Sequence, residues 1–246
     1  MIELKDIYKS FDDLEVLKGL DLEIKDGETL LVMGKSGCGK SVMLKIILRL
    51  LSPDSGKIII DGVDTTFFSE FQMVSVRKNF GMLFQAGALF DSMTVWQNIA
   101  YPLLEHTDTP VSEIDERIYE LLTFVGMEGN QTKYPNELSG GMQKRVALAR
   151  ALIMMPNYVL FDEPTTGLDP VTAGLINELI IRTRERYGVT SIVVTHDLAS
   201  AMRVGTQYAF MSEGKITFTG SRAQIFESDN PALREFLKDA SWQDRY

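Results

Sequence analysis

The sequence predicts an α/β fold, a core with a predominantly parallel sheet and an inserted helical lobe. Three observations carry that expectation. Short apolar runs bounded by polar or turn residues, "TLLVMG" (29–34), "YVLFDE" (158–163), "TSIVVTH" (190–196) and "YAFMSEG" (208–214), alternate with helical patterns, as the buried strands of a parallel sheet do. A glycine-rich loop joins the first run to a helix. The stretch 86–155 is mostly helical in pattern and interrupts the alternation.

The chain has 246 residues, which suits one large domain or one domain with a sizeable insertion. Its net charge of −9 repels phosphate backbones, so no nucleic-acid partner is expected. Cys38 is the single cysteine, which excludes an internal disulfide and favours a reducing compartment. The polar start "MIELKDIYKSF" is read as lacking a secretory signal. No apolar run reaches the roughly 18 residues that a membrane-spanning helix needs.

Taken in order, "SVMLKIILRLL" sets Met43, Ile46, Ile47, Leu50 and Leu51 on one helical face. "SGKIIIDG" (55–62) reads as an edge strand ending in a turn. "SEIDERIYELLTFVGM" (112–127) reads as a helix capped by Ser112, with acids in its first turn. The tail predicts one short helix after Ser221 and another capped by Asn230, with Pro231 at its first position. The expected division is an α/β core of 1–85 and 156–220, a helical subdomain of 86–155 and a helical tail of 221–246. The last residues, "ASWQDRY", read either as a frayed end or as a strap onto a second copy through Trp242 and Tyr246.

"GKSGCGKS" fits the phosphate-loop spacing with Gly34, Gly39, Lys40 and Ser41. It lies between an expected strand and an expected helix, the context that gives the pattern meaning. The glycines let successive N–H groups face inward as an anion nest. Lys40 adds a charge near the terminal phosphates, the helix start adds its dipole, and Ser41 offers a hydroxyl to Mg²⁺. The nucleotide-binding stretch is therefore Gly34, Lys35, Ser36, Gly37, Cys38, Gly39, Lys40, Ser41 and Val42.

"YVLFDEP" ends its strand with two acids. Strand neighbours point to opposite sides, so the two can do different work. Asp162 is placed to hold the Mg²⁺ shell, and Glu163 to orient or deprotonate a water attacking the terminal phosphate. A second candidate phosphate device is "NELSGGMQKRVALARAL" (136–152). Here Ser139 can cap a helix while Gly140 and Gly141 allow close backbone approach. By itself that stretch is equally an ordinary capped helix.

"GKSGCGKS", "LSGGM", "YVLFDEP", "TGLDP" (166–170) and "VTHD" (194–197) occur in this order along the chain. The set resembles the ATP-binding subunit of ABC transporters, over essentially the full length. The resemblance implies the ABC ATPase fold, including an antiparallel β part near the N-terminus. It implies ATP and Mg²⁺ as ligands, and a head-to-tail homodimer in which "LSGG" contacts the nucleotide bound to the other copy. Two phosphate devices would then grip opposite sides of a shared ATP.

Position by position, Phe11 matches the aromatic that stacks on adenine, an interaction of about 0.5–1.5 kcal/mol, with Val16 beside it. A core aromatic is the competing reading of Phe11. Gln85 matches the glutamine that reaches Mg²⁺ and water, Asp169 the acid along the dimer interface, and His196 the histidine on the terminal phosphate. Catalysis would rest on Glu163, His196 and Gln85, and the metal would draw on Ser41, Gln85 and Asp162. Met142 stands where the commonest family signature has Gln, which leaves any polar contact at that position in doubt.

"AGALFDSMTVWQNIAYPLLEHTD", following Gln85, and the Met142-containing signature resemble the ATPases that serve mammalian-cell-entry (MCE) proteins, including the bacterial maintenance-of-lipid-asymmetry system. That resemblance implies phospholipid transport between inner and outer membranes. It also implies an integral-membrane permease, an MCE-domain protein and a small regulatory subunit as partners, and a peripheral place on the cytoplasmic face of the inner membrane. Physically, the same apolar segment could receive a helix from a membrane partner, or pack inside the helical lobe. Competing readings are a small-solute importer, a soluble ABC ATPase without transport, and a regulatory module that binds ATP without turnover.

Overall fold

The computed structural model describes residues 1–239; the strap alternative at Trp242 and Tyr246 lies outside the described residues. In chain order the elements are β1 (Ile2–Phe11), β2 (Leu14–Ile24), β3 (Thr29–Met33), α1 (Lys40–Ile47), β4 (Ser55–Ile60), β5 (Val63–Asp64) and α2 (Glu70–Arg77). There follow β6 (Phe80–Leu83), α3 (Val95–His106), α4 (Val111–Phe124), a 3₁₀ turn (Pro135–Glu137), α5 (Gly140–Leu152), β7 (Tyr158–Asp162) and α6 (Pro170–Tyr187). The chain continues through β8 (Thr190–Thr195), α7 (Leu198–Val204), β9 (Gln207–Ser212), β10 (Lys215–Gly220), α8 (Arg222–Glu227) and α9 (Pro231–Asp239).

Two compact units emerge among the described residues: Met1–Val76 together with residues 190–239, and Arg77–Val189. The expected lobe limits at 86 and 155 both fall inside the second unit, which also carries β6 and β7.

In the first unit an antiparallel sheet has the order β2-β1-β4-β5. Along β1 the buried Ile2 and Leu4 alternate with more exposed residues, as in a sheet with one wet face, and an irregularity at the left-handed Asp6 returns Ile7 to the buried side. Beside it β3 runs parallel to both β8 and β9, while β9 turns back antiparallel into β10. Every residue of β3 and β8 is buried, which is why these stretches read as unbroken apolar runs. The helix α9 docks through Phe236, whose ring centroid lies 5.3 Å from that of Phe210 on β9.

In the second unit β6 and β7 pair in parallel from Phe80 opposite Tyr158 to Leu83 opposite Phe161. The rings of Phe80 and Tyr158 stack with centroids 4.8 Å apart. Helix α5 packs against β6, α3, α4 and α6, burying Val146, Ala147, Leu148, Ala149 and Leu152.

Four local expectations change. Helix α1 stops at Ile47, because the chain closes it with Leu50 N–H bonded to Lys45 O and Arg49 N–H to Ile46 O around a left-handed Arg49. That pattern is a Schellman stop, so Leu50 and Leu51 lie beyond the helix and Leu50 is exposed. β4 is not an edge strand, since the two-residue β5 flanks it. Helix α4 starts before Ser112: the carbonyl of Pro110 accepts from Glu113 and Ile114, and Pro110 is the N-cap. Finally, β7 ends at Asp162 and Glu163 turns at φ 49°. A left-handed bend, rather than strand alternation, therefore aims the second acid.

Candidate functional site

In the first unit the register sets Met33 opposite Thr195 on one side and Phe210 on the other. Gly34 and His196 therefore leave adjacent strand ends, and His196 is exposed. From Gly34 the chain curls through Lys35, Ser36, Gly37 and Cys38 to Gly39, the cap of α1, which has φ 109° and makes no side-chain capping bond. A Cβ at Gly39 would come within 2.8 Å of both Leu17 Cδ2 and Met211 Cε, and 3.2 Å from Val16 O. Only glycine fits that turn, and Val16 borders it directly.

Lys40 is buried, and its ammonium folds back across the loop to donate to Gly34 O at 2.8 Å and Lys35 O at 3.2 Å. A cation held over a curled backbone at a helix start is an arrangement that favours anions. Lys35 turns outward and pairs with Glu235 on α9 at 2.7 Å. Ser41 and Val42 are half-buried on the first turn of α1. Phe11 is 40% exposed, which removes the core-aromatic reading, and the Lys9 ammonium sits 5.4 Å from its ring centroid.

In the second unit the pairing of Leu83 with Phe161 brings the exit of β6, which leads to an exposed Gln85, beside Asp162 at the end of β7. Asp162 and Glu163 are both buried. Thr166 closes the turn after them, its hydroxyl donating to Glu163 Oε2 at 3.1 Å and its N–H to Glu163 O at 3.2 Å. Asp169 accepts from the Val171 and Thr172 N–H groups at 3.0 and 3.1 Å as the cap of α6. Bonds from the Thr172 side chain, then from backbone N–H groups, hold its carboxyl below the usual range.

The signature turn belongs to this unit too. Ser139 caps α5, accepting from Met142 N–H at 3.3 Å, and Ser139 and Gly140 are exposed. A Cβ at Gly141 would sit 2.3 Å from Thr172 Cγ2, so the bare glycine lets α5 lie against the start of α6. Gln143, next to the unusual Met142, spends its amide on Pro135 O at 2.8 Å.

The first unit thus brings together the phosphate loop, Val16 and the strand end carrying His196. The second brings together Gln85, Asp162, Glu163, Asp169 and the signature turn. Among the described residues no group of three or more His, Cys, Asp or Glu could cage a metal. The Ser41 hydroxyl in the first unit, and the Gln85 amide oxygen and Asp162 carboxylate in the second, are hard oxygens, the donor type that suits Mg²⁺.

Three residues were missed in the sequence. Thr166 orients Glu163. Asn98 is fully buried and binds the loop after Gln85 through Phe90 N–H at 2.8 Å and the carbonyls of Phe90, Met93 and Thr94 at 3.1 Å. Lys144 is buried on α5; its sequence signal was a charge at helical spacing with the buried Gly141 and Leu148. The segment that Asn98 holds is partly packed and partly open: Phe90 lies 5.0 Å from Tyr101 by ring centroids and remains 42% exposed.

Residues 17–166 match the family model described as ABC transporter. Over 236 residues the chain is 41% identical to the "Probable ribonucleotide transport ATP-binding protein mkl" of Mycobacterium leprae, covering 96% of this chain and 68% of that protein, about two thirds of its length. It is 38% identical over 241 residues to the "Intermembrane phospholipid transport system ATP-binding protein MlaF" of Haemophilus influenzae, covering 98% of this chain and 91% of that protein. Among solved structures it is similar to a dimeric ATP-binding cassette in a post-hydrolysis state bound to ADP and phosphate. That match has a TM-score of 0.82 and 34% identity, over 90% of this chain and 98% of the other.

Proposed function

The chain belongs to the ABC transporter ATP-binding family, and from that premise we propose that it hydrolyses ATP to drive phospholipid movement between the inner and outer membranes of a bacterium. The observation that carries the lipid reading is the near end-to-end likeness to an intermembrane phospholipid transport ATPase, 98% of this chain against 91% of that one. No helix among the described residues is long and apolar enough to cross a membrane. By its likeness to an intermembrane transport ATPase, the chain works peripherally, on the cytoplasmic face of the inner membrane, beneath an integral-membrane permease. An MCE-domain protein and a small regulatory subunit complete the assembly.

ATP binds through Gly34–Val42. Lys40 exchanges its loop carbonyls for the terminal phosphates, and Phe11 stacks on the adenine beside Val16. Ser41, Asp162 and Gln85 would hold Mg²⁺, which would supply positive charge against the phosphates. Glu163, steadied by Thr166, orients a water and takes its proton as the oxygen attacks the γ-phosphorus in line. The bond from the γ-phosphorus to the bridging oxygen breaks, ADP departs with that oxygen, and His196 bonds the oxygens of the transferred phosphoryl group. Ser139, Gly140 and Gly141 reach the nucleotide of a second copy, with Asp169 along the shared face, so two ATPs clamp the pair. Hydrolysis releases it, and the motion passes to the permease near the open face of Phe90.

A second reading, import of a small polar solute, is favoured by the ribonucleotide-transport name of the mycobacterial relative. Isolation of the complex from membranes separates the two. An MCE-domain subunit that co-purifies supports lipid transport, and a periplasmic solute receptor in its place overturns it.

A further inference from the structure

Lys144 takes no part in the mechanism above, yet it occupies an expensive position. It sits on the second turn of α5, five residues after Ser139, and is 5% exposed. Its ammonium donates to Pro164 O and Thr166 O, each at 2.8 Å. Both carbonyls belong to the turn whose Thr166 hydroxyl bonds Glu163 Oε2. Burial lowers the amine's pKa while the Glu163 charge raises it, so the cation lies within electrostatic reach of that carboxylate without replacing Thr166 as its partner.

The start of α5 also lies close against the start of α6, since a Cβ at Gly141 would sit 2.3 Å from Thr172 Cγ2. A buried ammonium with two carbonyl partners holds more rigidly than apolar packing would, since breaking either bond strands a buried charge or carbonyl.

We propose that Lys144 is a positioning residue that ties the aim of the Glu163 carboxylate to the signature turn at Ser139. In this way engagement of one nucleotide adjusts hydrolysis of the other. It touches no reacting atom. The proposal rests on the reading of Glu163 as the base.

The test compares ATP turnover by the full chain carrying Lys144→Met, which keeps the stem and removes the donors, and Lys144→Gln, which keeps a donor for one carbonyl. Misaimed by even a fraction of an ångström, the base loses rate: kcat should fall about tenfold or more in Lys144→Met with KM unchanged. Lys144→Gln should recover part of that loss. In a Glu163→Gln background, read on the residual single-turnover rate, the Lys144→Met penalty should vanish, and the Ser139→Ala penalty should shrink in combination with Lys144→Met. A Lys144→Met penalty that persists undiminished in Glu163→Gln, or that falls on KM alone, overturns the proposal. If Lys144→Met does not fold, Lys144→Gln carries the same cycle, with a smaller kcat loss expected to vanish in Glu163→Gln. Normal turnover by Glu163→Gln alone would instead overturn the reading of the base, and the proposal with it.

Discussion

Thr166 holds Glu163 twice, with its hydroxyl on Oε2 at 3.1 Å and its N–H on the backbone carbonyl at 3.2 Å. Together these bonds stabilise a left-handed Glu163, a conformation that costs about 1–2 kcal/mol for a residue with a Cβ. Thr166→Val keeps the shape and the N–H and removes only the hydroxyl. A hydrogen bond to a charged group contributes about 1.5–3 kcal/mol, so steady-state assays should show kcat lowered about tenfold or more, with KM for ATP unchanged.

Gly39 turns at φ 109° against Leu17 and Met211. Gly39→Ala should both abolish ATP binding and destabilise the fold by about 2 kcal/mol, from backbone strain and contact. Calorimetry should find no binding heat. Thermal unfolding should shift down by about 4–8 °C.

These two residues mark the limits of what could be read in advance. The phosphate loop was legible because its spacing, its strand before and its helix after are all local. The aim of Glu163 was not, since "DEP" looks like a strand end and the bend depends on Thr166 closing the turn. Ser112 looked like a cap because its side chain suits the role, but Pro110 carries the bonding carbonyl. Lys144 could not be assigned without the fold: whether a lysine on an apolar stripe finds carbonyls is decided by the segment packed against it. Asp162 at the end of β7 and the order of the motifs were plain, because each is local in the chain.

Asp169 caps α6 as a carboxylate whose pKa is lowered from 3.8, chiefly by the Thr172 side chain and then by backbone N–H groups. A group with a depressed folded pKa adds stability that is fully present above its unfolded value and lost as pH falls through its folded one. The wild-type chain should therefore lose this contribution only as the solution becomes more acid than about pH 4. Asp169→Asn should flatten that acid limb in urea titrations taken across pH 2.5–6, measured at about half-unit steps, and should leave the neutral limb parallel to wild type.

The contact between α9 and the rest of its unit should be apolar in origin. The Lys35–Glu235 pair is exposed on both sides, and such pairs contribute little. Phe236 is largely buried against Phe210, and truncating a buried Phe costs about 3 kcal/mol or more. Limited proteolysis should clip α9 readily in Phe236→Ala and no faster than wild type in Glu235→Gln.

The pairing of two chains around ATP is the claim on which the function depends, and small-angle scattering of the chain carrying Glu163→Gln tests it most directly. Saturated with ATP and Mg²⁺, the protein should scatter with the mass of two chains, and with ADP alone as single chains. A mass of one chain under ATP, with tight nucleotide binding and no turnover, would contradict the account.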